Sequence, residues 1–209
     1  MGRKAKISKE MVLQAAFELL DESGTGAVAI KNIAAKLGCS TQPVSWIFGS
    51  MTELKKELFT YSAGKMWDSL AGEMEGKDAL DAFFISGVHY ISIACDHPNV
   101  FRFLNIDDPV QSIGEDMLGA QSIFAQQMNA QAAAALVAQF KEVPKKKIGK
   151  AVQDTVIYTH GLAVMMMWDN YRRPKKEACH MIFDMGMKML SDIGVDVSGR
   201  KWSKKYAEM

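Results

Sequence analysis

The chain has 209 residues, a formal net charge of +1 at pH 7, 48% hydrophobic residues and 23% charged residues. This balance excludes an intrinsically disordered chain, which combines low hydrophobicity with high net charge. The longest uncharged apolar stretch, Gly161 to Trp168, is far shorter than the roughly 18 residues that span a bilayer. The charged start shows no secretion signal, and three cysteines without a CxxC pair favour reduced thiols. We therefore expect a cytoplasmic protein with no membrane partner.

The sequence predicts an all-α fold of about nine helices, because long windows between five prolines are rich in helix-forming residues. Ser8 is a suitable N-cap for a first helix that reaches Asp21. A second helix covers 28–37, a third starts after Ser40, and a capping box at Ser50 starts a fourth that reaches about residue 71. Further helices are predicted over 77–94, 97–105, 110–141 (with a possible break near Gly119), 145–170 and 174–193.

The segment between Ile30 and Gly49 has the pattern of a helix-turn-helix. Gly38 suits the turn, because glycine accepts a positive φ without steric cost. Small Ala34 lets the two helices approach, and the inward positions are Ile33 and Leu37 on the first helix and Val44 and Ile47 on the second. The second helix then presents four outward residues that would face a major groove: Thr41, Gln42, Ser45 and Trp46. A helix-glycine-helix hairpin with a purely structural role is the alternative.

Charge is unevenly distributed along the chain. Residues 1–66 hold nine Lys and Arg against six Asp and Glu, whereas residues 67–209 hold sixteen against eighteen. Arg3, Lys4, Lys6 and Lys9 form a basic arm at the start of the first helix. Such an arm can reach DNA phosphates or the adjacent minor groove. The near-zero net charge therefore hides a basic N-terminal third.

Over about residues 8–60, the sequence resembles the TetR-type bacterial transcription regulators. The match comprises Ile33-Ala34, Gly38-Cys39-Ser40, Ser45-Trp46-Ile47-Phe48 and Ser50-Met51-Thr52-Glu53-Leu54, with the spacing of that family kept throughout. The resemblance implies a DNA-binding domain over 1–55 and a helical ligand-binding and dimerisation domain over 56–209. It also implies a homodimer on palindromic operator DNA, usually a repressor that a small ligand releases.

Two positions depart from the family pattern and affect the phosphate contacts. Ser45 stands where the family usually has a phosphate-contacting Tyr, and Met51 stands where it usually has a Lys. Lys55, Lys56 and backbone N–H groups at the start of the fourth helix can compensate. We predict phosphate contacts from four residues: Arg3, Lys4, Ser40 and Lys55.

The last two predicted helices are apolar around most of their circumference, so they must be buried on several sides. A second copy of the chain is the simplest partner, which predicts a four-helix dimer interface. The predicted interface residues are Val156, His160, Val164, Met181, Met185 and Met189. Abundant Met and aromatic residues suit either an adaptable ligand pocket or plain core packing. The candidate walls for a small apolar or amphipathic ligand are Trp67, Phe84, Phe103, Phe124, His160 and Trp168.

Other signals predict neither a cofactor nor a catalytic site. The string from Gly24 to Ala29 spells G-x-G-x-x-A, but it follows a helix, whereas a dinucleotide fingerprint follows a strand. Glu177 with His180, and Cys95 with His97, supply too few ligands for a metal. We therefore predict no enzyme, no metal and no cofactor beyond an unknown small-molecule effector. The alternative function is a helical small-molecule-binding protein whose DNA-binding module has decayed.

Overall fold

The computed structural model describes residues 7–114 and 118–200, with residues 118–128 described by their backbone alone. The described residues are helical and contain no strand, which confirms the all-α prediction. Among these described residues, nine α-helices have seven or more residues and two are shorter. The helices are α1 (Lys9–Ser23), α2 (Ile30–Lys36), α3 (Thr41–Phe48), α4 (Met51–Trp67), α5 (Leu70–Met74), α6 (Ala79–Asp96), α7 (Pro98–Asn105), α8 (Pro109–Ser112), α9 (Leu118–Gln139), α10 (Lys145–Met166) and α11 (Lys175–Asp192).

The predicted helix starts are supported by caps. The Ser8 hydroxyl accepts a hydrogen bond from Met11 N at 3.2 Å, and the Ser50 hydroxyl accepts one from Glu53 N at 3.1 Å. The predicted helix over 110–141 is instead two helices, α8 and α9. Gly114, which follows α8, has a φ of 97°, a value outside the helical region. The break therefore lies ahead of Gly119, which is inside α9.

The chain divides into two compact units. The first unit comprises Met1–Asp68 with His97–Gln121, and the second comprises Ser69–Asp96 with Ser122–Met209. This structural division differs from the predicted boundary at residue 55, because all of α4 and the segment with α7 and α8 pack with the N-terminal helices. The division of function between 1–55 and 56–209 stays a prediction.

The first unit is built around α1, which packs on α2, α4 and α7. Its apolar stripe buries Val12, Ala16 and Leu20 completely. The other helices contribute fully or almost fully buried side chains of their own, including Ile33, Val44, Leu58 and Phe101. Burial of each such side chain stabilises the fold by about 1.5–3 kcal/mol relative to exposure. This core fixes the short α2 and α3, which could not be stable alone.

The second unit has its core where α6, α10 and α11 meet. Phe84 of α6 packs against Phe183 of α11 in a tilted arrangement with ring centroids 4.8 Å apart. Gly186 leaves room for that ring, because a Cβ at this position would lie 2.6 Å from Phe84 Cε1. No helix within 7–114 and 118–200 is long and apolar enough to cross a membrane.

Candidate nucleic-acid interface

The turn between α2 and α3 has the geometry that its sequence predicts. Gly38 adopts a φ of 63°, in the left-handed region that favours glycine. The Gly38 and Cys39 amides donate to the carbonyls of Ala35 and Ala34 at 3.1 and 3.0 Å, which closes the end of α2. Ile33 and Ala34 are buried, as expected. The helix-turn-helix is therefore present.

The buried face of α3 differs from the prediction at one residue. Val44 and Phe48 are buried, with 0% and 7% exposure, whereas Ile47 is only half-buried. The predicted Val44–Ile47 pair was therefore wrong in its second member, because an i, i+4 pair lies more nearly on one line along a helix than an i, i+3 pair. Lys9 places its ammonium 5.9 Å from the centroid of the Phe48 ring. This contact further holds the end of α3 against α1.

Of the predicted base-facing residues, three present free side chains. Thr41 and Gln42 are exposed, and Trp46 is 77% exposed. Ser45 is half-buried, and its hydroxyl donates to the Thr41 carbonyl at 3.1 Å within the same helix. The surface available on α3 is therefore formed by Thr41, Gln42 and Trp46.

The residues predicted to contact phosphates differ in their exposure and in their hydrogen bonds. Ser40 is the N-cap of α3, is exposed, and makes no side-chain cap hydrogen bond. The Lys55 ammonium donates to the Ser112 carbonyl at 2.7 Å, so it stabilises the first unit from within. Arg3 and Lys4 lie outside the described residues. Lys31, an exposed residue in the first turn of α2, was not among the predicted contacts. The first helix of this motif crosses the DNA backbone, so the position of Lys31 in that helix could have indicated it as a candidate phosphate contact.

Hydrogen bonds and ion pairs fix α1 against α2 and α4. The Tyr61 hydroxyl donates to Gln14 Oε1 at 2.5 Å, and Gln14 Nε2 donates to Glu18 Oε1 at 2.8 Å. Lys36 lies 3.0 Å from Glu18 and 3.2 Å from Glu22. The hydrogen bonds from Gln14 and then Lys36 lower the pKa of Glu18, so this carboxylate stays ionised near neutral pH. Gln14, Glu18, Lys36 and Tyr61 are among the residues that line an open groove of about 410 Å³ between these helices.

The predicted ligand-binding residues are divided between the two units. Trp67 and Phe103 belong to the first unit, where Phe103 is buried against Phe59. Three others belong to the second unit: Phe84 is a buried core residue, His160 is half-buried and Trp168 is 54% exposed. The side chain of Phe124 lies outside those described. The ligand-binding role of this set stays a prediction.

His160 has a specific polar partner inside the second unit. Its Nδ1 lies 2.7 Å from the hydroxyl of Tyr90 on α6. Burial lowers the pKa of His160 and raises that of Tyr90. Both shifts favour a neutral pair near pH 7, joined by a hydrogen bond whose donor is set by the imidazole tautomer.

The predicted interface residues on α10 and α11 all keep part of their surface exposed. Within the second unit these residues are half-buried: Val156, His160, Val164, Met181, Met185 and Met189. Ile157, beside Val156, is 63% exposed. Because α10 contributes its other face to the core of the second unit, the exposed Ile157 side chain leaves apolar surface available for a partner.

Within residues 7–114 and 118–200, His, Cys, Asp and Glu side chains form no group of three or more that could hold a metal ion.

The sequence matches no protein-family model and no curated protein. Solved structures share the fold. A transcriptional regulator from Rhodococcus sp. Rha1 aligns at 15% identity over 91% of this chain and 100% of that one, with a TM-score of 0.70. A putative TetR-family regulator from Rhodococcus sp. aligns at 13% identity over 87% and 97%, with a TM-score of 0.66. A TetR regulator from Streptomyces coelicolor aligns at 18% identity over 85% and 97%, with a TM-score of 0.57.

The fold is that of TetR-type transcriptional regulators. The alignments span nearly the full length of those chains, so both compact units take part in the likeness to the TetR fold. The helix-turn-helix and its exposed α3 therefore stand within a whole TetR-type architecture rather than in an isolated helical hairpin.

Proposed function

We propose that the protein is a DNA-binding transcriptional regulator whose α3 enters the major groove of an operator. The observation that carries this proposal is the uncovered outer face of α3, where Gln42 and 77%-exposed Trp46 stand opposite the buried Val44 and Phe48. The Trp46 side chain leaves a large apolar and aromatic surface open for contact on this face. A helix held by its inner face, with amide and aromatic side chains outward, suits base-edge readout.

Phosphate binding in this proposal comes from few groups. Ser40 and Lys31 are exposed beside or on the two helices of the motif, and the basic arm with Arg3 and Lys4 precedes α1. Lys55 is excluded from this set as long as it donates to the Ser112 carbonyl. Each lost phosphate contact reduces the salt dependence of binding. We therefore expect a shallow salt dependence per subunit.

The partner in this proposal is a second copy of the chain. The half-buried residues of α10 and α11, with exposed Ile157, supply an apolar surface for a C2 interface. Such a dimer would place two α3 helices about one DNA turn apart and would match a palindromic site. In this cytoplasmic role, a small apolar or amphipathic effector would release a repressor by favouring a dimer with wrongly spaced α3 helices.

Selection from a random duplex library tests the proposal directly. The full chain is incubated with random 30-base-pair duplexes, and bound DNA is amplified and sequenced over several rounds. We expect an inverted repeat whose half-site centres lie about one helical turn apart. Its affinity in a gel-shift titration should fall between low and moderate salt. The absence of any enriched or low-salt-bound duplex would contradict the proposal.

A second function is favoured by one pair of observations. The Ser45 hydroxyl and the Lys55 ammonium, at or near positions that would contact phosphates, are both bonded to backbone carbonyls. This arrangement suits a helical small-molecule-binding protein with a decayed DNA-binding module. Absence of DNA binding, together with a ligand-dependent rise in melting temperature in a screen of apolar compounds, would favour that function.

A further inference from the structure

The recognition surface of α3 carries no charge. Residues 37–52, which include the turn, α3 and the start of α4, contain no Asp, Glu, Lys, Arg or His. The nearest charged residues in sequence are Lys36, which pairs with Glu18 and Glu22, and Glu53, which pairs with Lys56. Guanine is most often read by Arg or Lys, and cytosine by Asp or Glu. This segment contains none of these four residue types.

The exposed residues of α3 carry a different chemistry. Gln42 and Trp46 are four residues apart, so their side chains lie on the same face about one turn apart. Val44 and Phe48, each two residues further on, point to the opposite side and are buried. Gln42 and Trp46 can therefore reach neighbouring base pairs while α3 stays seated on its core.

We infer that α3 reads A·T base pairs, with Gln42 on an adenine and Trp46 on the C5-methyl group of a thymine. This inference rests on the proposed function and names the bases that the same surface recognises. The Gln amide can donate to adenine N7 and accept from the adenine N6 amino group, a bidentate match. The indole of Trp46 offers a large apolar surface, and the thymine methyl is the apolar group of the major groove.

The intrahelical bond of Ser45 supports the assignment to Gln42 and Trp46. Since its hydroxyl already donates to the Thr41 carbonyl at 3.1 Å, Ser45 has no proton left to donate to a base. Thr41 offers a hydroxyl and a methyl group at the start of the helix. Its contacts fit either base pair, so Thr41 adds little selectivity. Discrimination by α3 therefore depends on Gln42 and Trp46.

Base-analogue duplexes test this inference. In the duplex selected by the full chain, each adenine is replaced in turn by 7-deazaadenine, which lacks N7, and each thymine by uracil, which lacks the methyl group. Affinities are measured for the wild type, Gln42→Ala, Trp46→Ala and Gln131→Ala, an exposed glutamine of α9 that serves as the matched control. Circular dichroism confirms that each variant is folded.

For the wild type we expect a loss of about 5- to 150-fold at one adenine per half-site. At one thymine per half-site, uracil should cost about two- to fourfold. Gln42→Ala should remove the first sensitivity and Trp46→Ala the second, whereas Gln131→Ala should keep both. Two results would overturn the inference while the proposed function stands. In the first, the bases whose recognition depends on Gln42 and Trp46 are G·C pairs. In the second, Gln42→Ala and Trp46→Ala both keep the two sensitivities of the wild type. If no duplex binds at all, the proposed function fails as well.

Discussion

At the scale of single residues, Gly186 shows how one missing side chain shapes the second unit. It lies on α11 directly beneath the Phe84 ring, which packs on Phe183 at 4.8 Å. Helix propensity alone disfavours glycine here by about 1 kcal/mol. Space for the aromatic pair is the physical reason for glycine at this position.

Gly186→Ala should therefore destabilise the protein. The new Cβ would lie 2.6 Å from Phe84 Cε1, so the ring must shift, at a cost of about 1–3 kcal/mol. Gly149→Ala is the matched control, because Gly149 also lies inside a helix but has nothing within 4 Å of its Cβ position. Urea unfolding should show a lower free energy of unfolding for Gly186→Ala and an unchanged or higher one for Gly149→Ala. Equal values for the two variants would contradict the packing account.

His160 should make stability depend on pH. Burial lowers its pKa in the folded chain below the ordinary value of 6.5. Below about pH 6.5 the unfolded chain therefore binds a proton at this residue more readily than the folded chain does. The free energy of unfolding consequently decreases as the pH decreases. His160→Gln removes this contribution, so its free energy of unfolding should fall less between pH 7 and pH 5 than that of the wild type. An identical fall in both proteins would show that His160 is not responsible.

At the scale of helices, local signals in the sequence located most of the structure. Caps at Ser8 and Ser50, and the glycine of the turn, are short-range signals, because each depends on backbone groups a few residues away. Packing is a long-range property and was predicted less well. The burial of Phe48 instead of Ile47, and the bond from Lys55 to the Ser112 carbonyl 57 residues away, depend on α1 and on the segment after α7.

The candidate nucleic-acid interface shows the same difference between local features, which the sequence predicted, and packing, which it predicted less well. The outward positions Gln42 and Trp46 followed from helical periodicity, whereas the bond of Ser45 to its own helix did not. The residues predicted to bind a ligand are divided between the two units, and their role stays a prediction, because aromatic content alone does not tell core residues from cavity walls. Composition indicates which residue types could line a pocket, but it does not show which residues lie next to one another in the fold.

The turn between α2 and α3 gives a prediction at this scale. Gly38→Ala places a Cβ in the left-handed region, which costs about 1–2 kcal/mol and alters the angle of α3. Gly26→Ala is the matched control, since Gly26 is equally open but does not have a positive φ. Thermal unfolding and binding to the selected duplex should both weaken for Gly38→Ala only. Normal DNA affinity in a folded Gly38→Ala protein would show that the turn angle does not matter.

At the scale of the whole molecule, the proposal requires two copies of the chain. A single α3 makes few contacts, and its unit has few exposed cations near the motif, so one subunit alone should bind DNA weakly. The partly exposed apolar residues of α10 and α11 are the surface from which we derive the dimer. DNA affinity and dimer formation should therefore be lost together.

Ile157→Glu tests that link. A carboxylate buried in an apolar interface costs several kcal/mol, so the variant should be monomeric in light scattering and should bind the selected duplex at least about tenfold more weakly. Val110→Glu is the matched control, because Val110 is a 55%-exposed β-branched residue of the first unit. It should remain dimeric. A dimeric Ile157→Glu protein with unchanged affinity would place the interface elsewhere.

The central claim is that the exposed face of α3 reads DNA, and the most direct test is the specificity ratio of one double variant. Fluorescence anisotropy at one salt concentration gives the dissociation constants for the selected duplex and for a scrambled duplex of equal length. For the wild type we predict a ratio of about 10³ or more in favour of the selected duplex. Gln42→Ala combined with Trp46→Ala should bring that ratio close to one while leaving affinity for the scrambled duplex unchanged. A folded double variant that keeps the wild-type ratio would contradict the account.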